Sequence, residues 1–110
     1  MRARLLFGSG CIEGARVLAG FRERLRGLLG TGADAGAVVI ERCGAIHTHG
    51  MRYAIDVAFL DAGGRVLASV RGLPPGGSAR SPGAVRVVER PASALPWPEV
   101  GQVVETREDP

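Results

Sequence analysis

AIDVAFLDAGGRVLASV, residues 54–70, is the stretch that decides the fold. It reads as two apolar runs around Asp61-Ala62-Gly63-Gly64, and two strand-like runs joined by a short glycine-containing connection predict a β-hairpin. In the first run Ala54, Asp56, Ala58 and Leu60 share one face, while Ile55, Val57 and Phe59 share the other. Asp56 is the odd member. A carboxylate inside an apolar strand needs a partner, because burying it unpaired is costly.

Further strands are expected on both sides. Upstream, RARLLF (2–7) and GARVLA (14–19) flank a Gly8-Ser9-Gly10 turn and read as a second hairpin, AVVIE (37–41) reads as a buried strand, and AIHTH (45–49) as a strand continuing it. Downstream, AVRVVER (84–90) alternates, and GQVVETR (101–107) reads as the last strand. Between them GLPPGGSARSPG (72–83) carries three prolines and four glycines in twelve residues, and so reads as loop. Only GFRERLRGLLG (20–30) changes period. Phe21, Leu25 and Leu28 recur at helical spacing, Gly20 suits the N-cap and Gly30 a stop, so one short helix is expected over about 20–29 with that apolar face packed on the sheet. Many short strands and one helix predict a mainly β, compact antiparallel sandwich or barrel-like domain. The 110 residues suit a single domain, 1–110.

Composition narrows the function classes. The formal charge is +3 and all 14 basic residues are arginine, which is a coding bias rather than a nucleic-acid signature. These arginines are dispersed, without a basic run or interleaved aromatics, so no nucleic-acid partner is expected. No run approaches the ~20 apolar residues of a membrane span. The start MRARLLFGSGC has only Leu5, Leu6 and Phe7 in apolar succession, short of the ~7–15 residues of a signal-peptide core, so a cytoplasmic protein with Cys11 and Cys43 as free thiols is expected.

RLRGLLG (24–30), CGAIHTHGMRYAIDVAFLDAGGRVL (43–67), LPP (73–75) and VVERPAS to VGQVV (87–104) occur in this order. Together they resemble the domain-of-unknown-function 192 family, also called uncharacterised protein family 0127, over nearly the whole chain. The resemblance implies a compact β-sandwich or barrel-like domain with a short helix. It implies no established activity, cofactor or catalytic residue. It also marks His49 as a departure, since members usually carry Phe or another apolar residue there.

The chemistry-bearing residues cluster in IHTHGMRYAIDVAFLD (46–61). On a strand His47 and His49 face one side, and Cys43 precedes His47 by four residues. Cys-x3-His-x-His offers three zinc donors, but the spacing matches no recognised site and a fourth ligand is missing, so no metal or other cofactor is assigned. Cys43, His47 and Asp56 carry the residue types of a nucleophile, base and orienter, yet no oxyanion or substrate anchor accompanies them, and no catalytic residue is assigned. For Asp56 the favoured reading is a structural pair with Arg24 or Arg52, or capture of backbone N–H groups. Met51 reads either as core filler or as the rim of an apolar pocket beside His47.

The expected function is therefore a small non-catalytic β-domain. It would bind a small molecule or protein partner through His47, His49, Met51, Arg52 and Asp56, with the Leu73–Gly83 loop as cover. Two alternatives stand beside it: an accessory subunit of a larger assembly, and a metal-assisted or cysteine-dependent hydrolase centred on Cys43, His47, His49 and Asp56. The stretch itself is expected to be chiefly one strand through the core, with His47 and Asp56 hydrogen-bonded and His49 nearer solvent.

Overall fold

The computed structural model describes residues 1–110, with the side chain of Phe21 excepted. The chain is mainly β. In chain order its elements are β1 (Arg2–Phe7), β2 (Gly10–Leu18), α1 (Phe21–Arg26), β3 (Val38–Glu41), β4 (Ala45–His47), β5 (Ile55–Leu60), β6 (Val66–Leu73), β7 (Ser78–Arg80), β8 (Arg86–Pro91) and β9 (Glu105–Glu108). Seven strands form one sheet in the order β6-β5-β8-β3-β2-β1-β9, and β4 pairs with β7 in a small second sheet.

Both expected hairpins form. β1 and β2 pair antiparallel around Gly8-Ser9, and β5 and β6 pair around the Asp61–Gly64 turn. Asp61 Oδ1 builds that turn by accepting from the backbone N–H of Gly63 and Arg65, both at 2.9 Å. One pair departs from the antiparallel expectation: β2 and β3 run parallel. A parallel neighbour requires a long crossover, and residues 19–37 supply it. That crossover carries α1, and the turn after the helix packs Leu28 on one face of the sheet.

The sheet curls until its ends meet. Arg65 pairs with Val103, Val66 N–H donates to Gln102 O at 2.8 Å, and Val104 N–H donates to Gly64 O at 2.8 Å. The edge of β6 is thereby tied to the segment leading into β9, and the domain is barrel-like. Strand alternation then gives two apolar layers. Leu5, Ala15, Val39, Ala58, Leu60, Val88 and Trp97 fill the inner layer. Val38, Ile40, Ile55, Val57, Phe59 and Val87 form the outer one, covered by Leu28 and by the segments that carry β4 and β7. β5 is buried at every position because both of its faces are covered.

Three local expectations are corrected. The 46–61 stretch is not one strand: His47 ends β4 in the small sheet, Ile55 starts β5 in the large one, and residues 48–54 turn between them. The last strand starts later than expected, at Glu105. The helix spans Phe21–Arg26 rather than 20–29, and it ends at Gly27 rather than Gly30. Gly27 adopts φ 51° and ψ −122°, a region open chiefly to glycine. This turn breaks the helical phase, so Leu28 is 1% exposed while Leu25 is 69% exposed. The packing expected for Phe21 lies outside the described side chains. Leu25→Ala should therefore change the urea midpoint by no more than about 0.5 kcal/mol in equivalent stability, as at other surface positions. A loss above about 2 kcal/mol would restore the continuous apolar face.

Candidate functional site

The 46–61 stretch divides between the two faces of the barrel wall. Asp56 faces inward with Ala58 and Leu60, as alternation predicts, and is 1% exposed. Its partner is neither Arg24 nor Arg52. Arg90 stands directly opposite it on β8, and Arg90 Nε donates to Asp56 Oδ2 at 2.9 Å. The backbone N–H groups of Gly72 (3.0 Å) and Ser93 (3.3 Å) also donate to the carboxylate, which was the other reading of Asp56. Arg90 completes its fork on the carbonyls of Pro96 and Leu95, and its guanidinium lies 4.6 Å from the Trp97 ring centre. Asp56 and Arg90 are thus fully engaged with each other and with neighbouring backbone groups. Arg52 is exposed and lies apart from it.

The outer face carries a cavity of about 210 Å³. Its lining includes Cys43 and, from the 46–61 stretch, His47, His49 and Met51, but neither Arg52 nor Asp56. The opposite wall is the end of α1 and the turn after it, Arg24 to Leu29, and Ile40, Ile55 and Glu89 come from the sheet. Apolar surface comes from Leu28, Ile40, Ile46, Met51 and Ile55. Three guanidinium groups, Arg24, Arg26 and Arg42, border it.

Both histidines are exposed, His47 as well as His49. The His49 N–H donates to His47 Nδ1 at 3.3 Å, and the rings lie 5.3 Å apart at 51°. The Cys43 thiol donates to Ala45 O at 3.2 Å. With Asp56 on the other side of the wall, the residues of the hydrolase alternative are not assembled. Among the described residues no three His, Cys, Asp or Glu side chains converge as metal ligands.

The 73–83 loop is not a cover. It contributes β7, which pairs with β4 so that Ile46 opposes Ala79, and it takes no part in the cavity lining. Thr48, 0% exposed, pins it down. Its Oγ1 donates to Pro74 O at 2.6 Å and accepts from Gly77 N–H at 2.7 Å.

Two polar features of the cavity stand apart: Glu89, which sequence reading missed, and Arg24, which it assigned to Asp56 instead. Glu89 is 5% exposed, and burial pushes its carboxyl up to about 7, with the Leu28 backbone N–H opposing that rise. Among the described residues no arginine forms an ion pair with it. Its signal was present in AVRVVER, where alternation sets Glu89 on the face of Val87, as it sets Asp56 beside Ala58. Arg24 is the second feature. Its Nε is buried with no acceptor, while its Nη1 donates to Arg42 O at 3.4 Å.

A second hollow, about 410 Å³, lies between Cys11–Glu13, residues 33–37 and residues 90–96. Arg90 borders it with its donors already engaged. No described helix is long and apolar enough to cross a membrane.

No family model matches the chain, and no curated protein matches it. Two solved structures share the fold. One is a protein of unknown function from Novosphingobium aromaticivorans DSM 12444, with TM-score 0.74 and 15% identity over 94% of this chain and 83% of that one. The other, from Sinorhizobium meliloti 1021, is described as a "putative transcription regulator"; its TM-score is 0.73 and its identity 17%, over 96% of this chain and 92% of that one. At these identities the likeness carries the architecture and nothing finer.

Proposed function

We propose that this chain is a ligand-binding β-domain of the unknown-function 192 type, without catalysis of its own, and that its ligand enters the cleft between α1 and β4. The supporting observation is the cavity itself: an apolar lining bordered by His47, His49 and three arginines. Apolar walls with a few convergent polar groups are the usual makings of a small-molecule site. At about 210 Å³ it lies below the ~300–1,000 Å³ of drug-sized sites, which favours a small metabolite-sized ligand over a nucleotide. His47, His49 and Met51 keep their place in this proposal, and Arg52 and Asp56 leave it.

A second reading keeps a protein partner here, because Leu25 stands 69% exposed beside the cavity. The regulator description of the Sinorhizobium protein is compatible with ligand sensing, and nucleic acid stays outside the proposal because the arginines are dispersed along the chain.

The test is amide chemical-shift mapping with three size-matched probes: hexanoate, hexylamine and 1-hexanol. At least one should give saturable shifts at Gly27–Leu29 and Ile46–Met51, and Met51→Trp should abolish them in a protein that keeps its fold. Shifts scattered over the surface or gathered at the 33–37 and 90–96 hollow would end the proposal. A flat response to all three probes would also end it.

A further inference from the structure

One buried donor without an acceptor and one buried acid without a counter-charge line one cavity. Arg24 Nε–H has no acceptor, and the Glu89 carboxyl has no cation. Buried polar atoms are nearly always hydrogen-bonded, so such groups meeting at a concave site call for a ligand that supplies what they lack. Glu89 is fixed in place. Its Oε1 sits so close to the Gly27 backbone that a Cβ there would lie 3.0 Å away, and the Leu28 N–H faces the same carboxyl.

Charge selects the ligand class. Among the described contacts the guanidinium groups of Arg24, Arg26 and Arg42 donate only to backbone carbonyls, those of Arg42, Leu29 and Ala19 respectively. Three cations without a paired carboxylate give the cleft a positive field, which favours an anion and repels an ammonium group. Arg24 and Glu89 line the same cavity, and a ligand carboxylate that spans from one to the other meets an acid without a counter-charge. Two carboxylates in a dry site cannot both be ionised, and sharing one proton turns the clash into a hydrogen bond. Leu28, Ile40, Met51 and Ile55 offer apolar surface for the rest of the molecule.

We infer that the cavity binds a small apolar carboxylic acid as its anion, with Arg24 as the cation and Glu89, carrying a proton, as the donor. This rests on the ligand-binding proposal above. Burial already favours the protonated form of Glu89. Binding then takes up a proton from solvent whenever Glu89 was ionised in the free protein.

The remaining titratable groups on the cavity are Cys43, His47 and His49, together with the three arginines. Glu89→Gln isolates the Glu89 contribution, because it keeps a hydrogen-bond donor and leaves all the others in place.

Calorimetry with hexanoate, against hexylamine and 1-hexanol, tests the inference. Hexanoate should bind and hexylamine should not. With Glu89 titrating near 7, the competent fraction falls roughly 30-fold between about pH 6 and about pH 8.5, and wild-type affinity should fall with it. Glu89→Gln should lose no more than roughly threefold over the same range. At about pH 8.5, titrations in buffers of different ionisation enthalpy should report close to one proton taken up per hexanoate. Arg24→Gln should weaken hexanoate at least tenfold at both pH values while leaving 1-hexanol unchanged.

Tighter binding of hexylamine, proton release, or the same pH dependence in wild type and Glu89→Gln would overturn the inference. If 1-hexanol alone reached the cavity, the ligand-binding proposal would stand and the acid class would fall. If no probe reached it, both would fall.

Discussion

Asp56→Ala should lower stability by about 3–5 kcal/mol, the cost of removing one partner from a buried ion pair. The substitution does more than delete an attraction. It leaves the Arg90 guanidinium, 9% exposed at its side chain, with its Nε unpaired inside the barrel wall. It also strands the N–H groups of Gly72 and Ser93, which have Asp56 as their acceptor. The damage should be local to one end of β5. Arg90 keeps its bonds to the Leu95 and Pro96 carbonyls and its stacking on Trp97, so the 92–97 segment stays attached. Asp56→Asn should cost less, because the amide oxygen can still accept. Combining Asp56→Ala with Arg90→Met should recover part of the loss, since no uncompensated charge then remains. Urea unfolding of the three variants decides the matter, and a single Asp56→Ala variant within about 1 kcal/mol of wild type would mean that the pair is not structural.

That Asp56 needed a partner was legible from its neighbours; which partner was not. The alternation of AIDVAFL assigns Asp56 to a face correctly, because period two is a local property of the strand. The identity of a cross-strand neighbour depends on strand order. β5 pairs with β6 as a hairpin and with β8 across an intervening stretch that leaves the large sheet to form β7, so Arg90 arrives opposite Asp56 from 34 residues away. Nothing local separates it from Arg24 or Arg52. The parallel β2–β3 pair was hidden for the same reason: both strands read as apolar runs, and their relative direction is set by the crossover that contains α1.

The helix error has a different origin. Phe21, Leu25 and Leu28 match a helical stripe only if the helix continues through Gly27, and the positive φ of that glycine ends it. The same turn brings Leu28 under the sheet and sets the Gly27 backbone against Glu89, so the residue that defeated the periodicity also shapes the cavity. Cys43, His47, His49 and Met51 were found because they are close in sequence. Arg26, Arg42 and Glu89 were not, because they come from three other segments and meet only in the fold. Glu89 nevertheless obeys the rule already applied to Asp56. Both are carboxylates in alternating apolar strands, and they are adjacent in the sheet, with Glu89 opposite Val57, one residue along from the Asp56–Arg90 pair. The sheet thus holds one acid paired with an arginine on its inner side and one acid alone on its outer side.

The lone acid makes stability depend on pH. Burial raises the Glu89 carboxyl from 4.5 to about 7 in the folded protein. A raised acid means that the folded state holds more protons than the unfolded state between those two values. Its contribution to stability is therefore fully present below about pH 4.5, declines as pH rises, and is lost once pH passes about 7. A shift of this size corresponds to about 3 kcal/mol, at about 1.4 kcal/mol per pH unit. Glu89→Gln removes the titration while keeping an oxygen for the Leu28 N–H to meet. Near pH 4.5 the variant and wild type should have the same stability within about 1 kcal/mol, since both side chains are then neutral. Near pH 8 the variant should be the more stable by up to about 3 kcal/mol, because only wild type must ionise a buried carboxyl. Urea unfolding of the two proteins at steps across this range gives the difference directly, and subtraction removes every titration they share. A difference that stays constant with pH would mean that Glu89 finds a counter-charge or ready hydration in solution, and the cavity would then lack the unpaired acid on which its selectivity rests. A difference that opens with rising pH, and widens further near pH 8 when hexanoate is present in excess because only wild type must take up a proton to bind it, would tie the same proton to both folding and binding.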